Sequence, residues 1–283
     1  MSSQAVHAEP AGLGPAARPT PAVETGDVTY HGGPVISNTR VTAVYWTSAV
    51  AFQSSLSSFY GSVTNSSYFD WLSEYQTNTQ SIGRGSFAGG VIDPSPPTGT
   101  TVSDSQIVSE LTRLIQAGTI PTPNSNSLYM VHFPPGYTVT HSGFHSCPST
   151  GTEFSFCGFH NSFLFNSMRV PYGVVVDVEA CGTLCGPGDG LGNTTSTASH
   201  ELLEATTDPQ VTVSSAWFRN SDGEEIADIC QGLNGTVSGF TVQKAWSDLQ
   251  GKCVLKNPCQ SCPSGTSCHC GDFICRTTTS MCP

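Results

Sequence analysis

The stretch Ser199-His200-Glu201-Leu202-Leu203-Glu204-Ala205-Thr206-Thr207-Asp208-Pro209 constrains the fold more than any other. Read as a helix, it places His200 and Glu204 one turn apart on a single face, with Glu201 beside His200. Pro209 cannot extend a helix and biases the residue before it toward extended backbone, so the helix ends near Asp208. Further along, Gly223-Glu224-Glu225-Ile226-Ala227-Asp228-Ile229-Cys230 forms an acidic knot. A His and a Glu on one helical face, an adjacent Glu and a later acidic pair are the parts of a metal-dependent hydrolase site. The rest of the chain reads as a scaffold for these two segments.

That scaffold alternates strands and helices. Val41–Trp46, Leu128–Phe133 and Tyr172–Glu179 are β-branched or aromatic runs that read as strands, the last apolar until Asp177 and Glu179. Phe52–Tyr75 reads as a helix in two pieces. Ser103 opens the clearest helix, with Gln106 completing a capping box and Gly118 as its stop. Its apolar residues Ile107, Val108, Leu111, Leu114 and Ile115 recur at helical spacing. Gly83–Thr101 is expected as loop or edge strand, and the segment holding His141, His145, Cys147, Cys157 and His160 as a Cys/His-rich loop. Cys181–Asn193 reads as Gly-rich loop, and Gly239–Val254 as one or two closing strands. The expected fold class is α/β, a mixed central sheet flanked by helices. Residues 1–27, rich in Ala, Pro and Gly, read as a disordered leader, 28–256 as the mixed α/β metal-binding domain and 257–283 as a separate Cys-rich module.

Charge and cysteine usage narrow the setting. Ten Lys+Arg against 21 Asp+Glu give a net charge of −11, which argues against nucleic acid and anionic membrane as partners. No apolar run is long enough to span a membrane. The chain holds 12 cysteines, six of them from Cys259 onward. An even, clustered set favours disulfides and an oxidising compartment over metal binding by thiolates. Asn65-Ser66-Ser67, Asn193-Thr194-Thr195 and Asn234-Gly235-Thr236 match the N-glycosylation pattern. The basic-then-apolar pattern of a signal peptide is missing. The expected location is nevertheless extracellular, with a signal outside this numbering or another export route. Cys230 is expected to pair with Cys253. The tail, which has almost no apolar core, is expected to pair within itself and to bind a surface or partner.

Two resemblances add to this. His200-Glu201 and the later Glu224 and Asp228 resemble the HExxH and ExxxD elements of the thermolysin-like and neprilysin-like zinc peptidases, the gluzincins. That likeness implies His200 and Glu224 as zinc ligands, Glu201 as the catalytic base and Asp228 as the residue that orients His200. Glu204 departs from it, standing where a second His ligand belongs. Tyr30-His31-Gly32-Gly33-Pro34-Val35, Val44-Tyr45-Trp46, Cys157-Gly158-Phe159-His160 and Thr207-Asp208-Pro209 together look like the Exordium-like, phosphate-induced family, from about Tyr30 to Cys253. This implies an extracellular or cell-wall protein, here a microbial relative carrying HExxE, and does not by itself imply peptidase activity.

Each residue has a bland alternative. His200 and its neighbours could be solvated or capping groups, and the acidic knot could be a plain acidic turn. His160 reads either as a proton donor or oxyanion partner in the cleft or as a structural His in a disulfide-bounded loop. Asp177 and Glu179 are strand-end carboxylates or site residues. His31 reads as a turn residue. The reading taken forward is a secreted peptidase acting on extracellular protein or peptide. His200, Glu204 and one of Glu224 or Glu225 hold zinc, with Mn or Ca as alternatives because the set is carboxylate-rich. Glu201 is the general base, His160 assists, and Asp228 fixes the His200 tautomer from outside the ligand set. The alternative is a non-catalytic Exordium-type protein with a structural ion or none. Because the tail lacks apolar periodicity, truncation after Lys256 is expected to leave a cooperatively unfolding domain, checked by calorimetry of the shortened chain.

Overall fold

The computed structural model describes residues 28–146 and 155–256, with two short strands at 267–268 and 275–276. The expected leader, Cys147 and the pairing of the tail cysteines lie outside the described residues.

The first half of the chain holds β1 (Val28–Tyr30), β2 (Arg40–Tyr45), α1 (Gln53–Val63), α2 (Ser67–Asp70), β3 (Ser86–Ile92), β4 (Thr101–Ser103), α3 (Asp104–Gln116) and β5 (Ser127–His132). The second half holds β6 (Thr138–His141), β7 (Phe144–Ser146), β8 (Ser155–Phe156), β9 (Gly158–Phe165), β10 (Met168–Val175), α4 (Gly190–Thr207), β11 (Trp217–Arg219), β12 (Asn234–Val237), β13 (Phe240–Gln243), β14 (Ala245–Ser247) and β15 (Lys252–Val254). The architecture is the expected mixed α/β arrangement around a central mixed sheet, ordered β3-β2-β5-β10-β9. β3, β2, β5 and β10 are parallel, and β9 runs antiparallel at the edge. β2 and β5 are buried almost throughout, as their near-continuous apolar runs require of strands covered on both faces. The β9–β10 hairpin turns on Asn166 and Ser167, both at positive φ, the geometry of a two-residue turn that matches strand twist.

Successive residues of a strand point to opposite faces, and β10 shows what lies on each. The Tyr172 hydroxyl donates to Asp104 at the start of α3. A side chain at Gly173 would meet Met130 and Glu201 of α4. Helices α3 and α4 therefore cover opposite faces. Ser103 caps α3, and the reciprocal Gln106 contact is formed.

Three segments differ from the sequence reading. His160 lies within β9, not in a loop, because the inner face of that strand receives α4 and buries a polar residue that breaks the apolar pattern. α4 begins at Gly190, with the Asp189 side chain accepting from the Gly192 N–H, so part of the expected Gly-rich loop is helix. β10 stops at Val175; Asp177 immediately precedes, and Glu179 lies at the start of, the 3-10 stretch Val178–Cys185, which is broken at Gly182. Cys157 pairs with Cys185, and Cys230 with Cys253. Cys181 is disulfide-bonded as well. Among the described residues no helix is long and apolar enough to cross a membrane.

His132, the last residue of β5, is buried, and its Nε2 lies 2.9 Å from the Tyr60 hydroxyl. Burial pulls its pKa down to about 3. Below an ordinary His pKa of about 6.5 the unfolded chain takes up a proton here that the folded chain refuses. Stability is therefore lost as pH falls from about 6.5 toward 3, by up to about 1.4 kcal/mol per pH unit. A His132→Gln variant is expected to show a shallower decline over that window, measured as urea midpoints at several pH values.

Candidate metal centre

Every residue of α4 from Thr195 to Thr207 is buried. Such a helix has no solvent face, so its polar side chains need partners inside the protein. Ser199 donates to the Ser196 carbonyl at 2.7 Å and accepts from the Gln243 N–H of β13 at 2.8 Å. Thr206 and Thr207 donate back to the Leu202 and Leu203 carbonyls. The helix stops where Pro209 requires, and Asp208 leaves helical backbone at φ −139°.

Glu204 lies at the centre. Its Oε1 accepts from the backbone N–H groups of Ala227 at 3.1 Å and Asp228 at 3.0 Å, which docks the acidic knot onto α4. Its Oε2 is buried and makes no hydrogen bond. That oxygen lies 3.0 Å from His200 Nε2 and 3.8 Å from His160 Nδ1. Burial, and after it the neighbouring Asp228 carboxylate, push the Glu204 carboxyl above the usual range.

The other residues converge on it. Asp228 Oδ1 lies 3.5 Å from His200 Nε2. His160 Nδ1 lies 3.6 Å from Glu201 Oε2, and its Nε2 lies 3.5 Å from Glu225 Oε2. His160 Nε2 is also 3.2 Å from the Asp208 carbonyl, which only accepts, so that nitrogen carries the proton and Nδ1 presents its lone pair. Gly158 makes room for Glu201: a Cβ there would lie 2.5 Å from Glu201 Oε1 and 2.8 Å from the Val174 carbonyl oxygen. Donor atoms of His200, Glu204 and Asp228 lie within 4.8 Å of one another, as do those of His160, Glu201 and Glu204.

Of the two acidic candidates, Glu225 is brought to His160, whereas the Glu224 carboxylate pairs with Arg219 at 2.5 Å. Asp228 faces the outward nitrogen of His200, not Nδ1. The residue at Nδ1 is Gln243, whose amide nitrogen lies 2.9 Å away and donates to the Ala227 carbonyl at 2.6 Å. Gln243 carries no sequence signal, because a single Gln in a closing strand resembles any half-polar edge residue. The Asp208 carbonyl was signalled only through Thr207-Asp208-Pro209. Asp177 and Glu179 line a separate small recess at the carboxyl edge of the sheet, with His132 and Thr194. His31 stacks on Phe218 at 3.5 Å. Cys157, Cys181 and Cys185 lie close together, but all three sulfurs are spent in disulfides.

The chain is thus an α/β protein with a buried imidazole–carboxylate cluster on one face of its sheet. No protein-family model matches it, and no curated protein or solved structure does. The crowding at Gly158 gives a direct test of the cluster's packing. Gly158→Ala is expected to push Glu201 aside and to destabilise the fold by about 1–3 kcal/mol, read from the urea midpoint.

Proposed function

We propose that the protein is a metal-dependent peptidase acting on extracellular protein or peptide substrates. The observation that carries the reading is the Glu204 carboxylate. One oxygen is fixed by two backbone N–H groups, and the other is turned, without a hydrogen bond, toward His200 and Asp228. Imidazole nitrogen with carboxylate oxygen suits zinc first, and manganese next. His200 Nε2, Glu204 Oε2 and Asp228 Oδ1 would hold the ion. The ion would supply Lewis acidity toward a water and the scissile carbonyl.

This chain's own residues do the proton work. Glu201 takes one proton from the attacking water as the water oxygen bonds to the carbonyl carbon. Glu201 passes that proton to the lone pair of His160 Nδ1, and His160 delivers it to the departing amine as the carbon–nitrogen bond breaks. To hold the ion, His200 would offer its Nε2 lone pair and carry its proton on Nδ1. The Gln243 amide must then turn its oxygen toward that proton and release the Ala227 carbonyl. The disulfides and the acidic composition support an exported protein.

A second reading is a non-catalytic protein of the Exordium type in which the same residues hold a structural ion. Burial favours it: His200 is 6% exposed, Glu201 2% and Glu204 fully covered, whereas a peptidase must admit a substrate.

Three variants separate the readings. His200→Ala is expected to lose the ion together with cleavage of an unfolded substrate. Glu201→Gln is expected to keep the ion at His200, Glu204 and Asp228, while turnover falls about 10²–10⁴-fold. Glu204→His removes the acceptor of the Ala227 and Asp228 N–H groups together with a ligand, and is expected to weaken ion binding and lower the urea midpoint. Full turnover in Glu201→Gln, with chelator-sensitive cleavage in the wild type, would end the proposed base role. No cleavage by any metal-loaded form would leave the structural reading.

A further inference from the structure

We propose that a second divalent cation binds at His160 Nδ1, Glu201 Oε2 and Glu204 Oε2, next to the first and sharing Glu204 with it. Filling this position arrests hydrolysis by occupying the base. The arrest rests on the peptidase reading above; the binding does not.

The geometry of the three donors is the first support. His160 Nδ1 lies 3.6 Å from Glu201 Oε2 and 3.8 Å from Glu204 Oε2, and one donor atom from each of the three residues lies within 4.8 Å of the others. Donors around a tetrahedral zinc with bonds of about 2.0–2.2 Å stand roughly 3.4 Å apart, so a small contraction closes the set on an ion. The tautomer is the second support. His160 gives its Nε2–H to the Asp208 carbonyl, the outer partner that a metal-bound imidazole ordinarily has, and aims a lone pair at the two carboxylates. A lone pair facing two carboxylate oxygens is repulsive unless a cation or a proton stands between them. The third support is Glu204, whose Oε2 is fully buried and without a hydrogen bond and which belongs to both donor groups.

Charge agrees with two ions. Glu201, Glu204, Glu225 and Asp228 bring four carboxylates around two imidazoles, and two divalent cations carry the matching four positive charges. Paired metal ions that share a ligand stand about 3.5–4 Å apart in hydrolytic centres. Their repulsion makes the second ion the weaker one, by at least about tenfold. Filling is therefore ordered. The first ion enters at His200, Glu204 and Asp228, and the second takes the lone pairs of Glu201. A carboxylate coordinated in this way no longer accepts the proton of the attacking water, so the second ion inhibits.

The test is a zinc titration of the full chain, stripped with a chelator. Calorimetry and elemental analysis read the stoichiometry, and cleavage of an unfolded protein is followed in parallel. The wild type is expected to bind two zinc ions, with cleavage rising through the first equivalent and falling through the second. Glu201→Gln and His160→Gln, read by binding alone, are each expected to bind one. A single ion at saturation with cleavage intact overturns the second site and leaves the peptidase reading. Two ions in the wild type and in both variants overturns it as well, because the second ion then lies elsewhere. Two ions reduced to one in the variants, with no cleavage at any loading, supports the site and ends the peptidase reading. No bound ion ends both.

Discussion

The bond pair from the Ala227 and Asp228 N–H groups to Glu204 Oε1 sets the geometry of this molecule. Hydrogen bonds to a charged acceptor contribute about 1.5–3 kcal/mol each, and their loss in a buried place leaves two N–H groups without water or partner. Through them the acidic knot is clipped to the last turn of a helix that is buried from Thr195 to its end. The knot carries Asp228 and Glu225 with it. The same carboxylate then has only one oxygen to offer, and the bonds to the first oxygen decide where that second oxygen points. Fold and site are therefore joined at one side chain. The helix cannot slide along the sheet without pulling the knot, and the knot cannot open without baring a buried carboxylate.

Much of this was legible in the residues. The apolar runs at Val41–Trp46 and Leu128–Phe133 mark strands buried on both faces, and the Ser103–Gln106 capping box marks the start of α3. His200 and Glu204 meet as their spacing requires. What the residues concealed is instructive in physical terms. α4 begins with Gly, Asn, Thr and Ser, which read as loop because such residues satisfy backbone groups locally. Here they do so inside a buried helix, bonding back onto its own carbonyls. His160 looked like a loop residue because strand patterns are judged by apolar alternation, and the inner face of β9 pairs with a polar helix. The choice between Glu224 and Glu225 could not be made from spacing alone. Arg219, which draws Glu224 away, sits on a strand whose position depends on pairing with β1 at the far end of the domain.

Gln243 shows how an uncharged residue shapes such a site. Its amide is held by the Ala227 carbonyl, so it offers a donor to His200 Nδ1 and leaves the ring proton on Nε2. The main chain of the same residue donates to Ser199, and its carbonyl accepts from the Tyr68 hydroxyl at 2.5 Å. The strand that carries Gln243 is thus anchored through its main chain as well as its side chain.

The Cys157–Cys185 and Cys230–Cys253 cross-links lie at the ends of the donor-bearing segments and not in the body of the sheet. Cys157 stands just before Gly158 and the strand that carries His160, and its partner Cys185 stands just before α4. Cys230 follows Asp228 closely, and its loop to Cys253 encloses Gln243. Closing loops of this size restricts the unfolded chain by about 3–4 kcal/mol each. Breaking them would leave β2, β5 and β10 paired as before, but would release the two segments at the points where they leave the framework. The readiness of the centre is therefore tied to the thiol–disulfide state of the compartment the chain occupies: the framework is present in either state, and the fully tethered centre in only one.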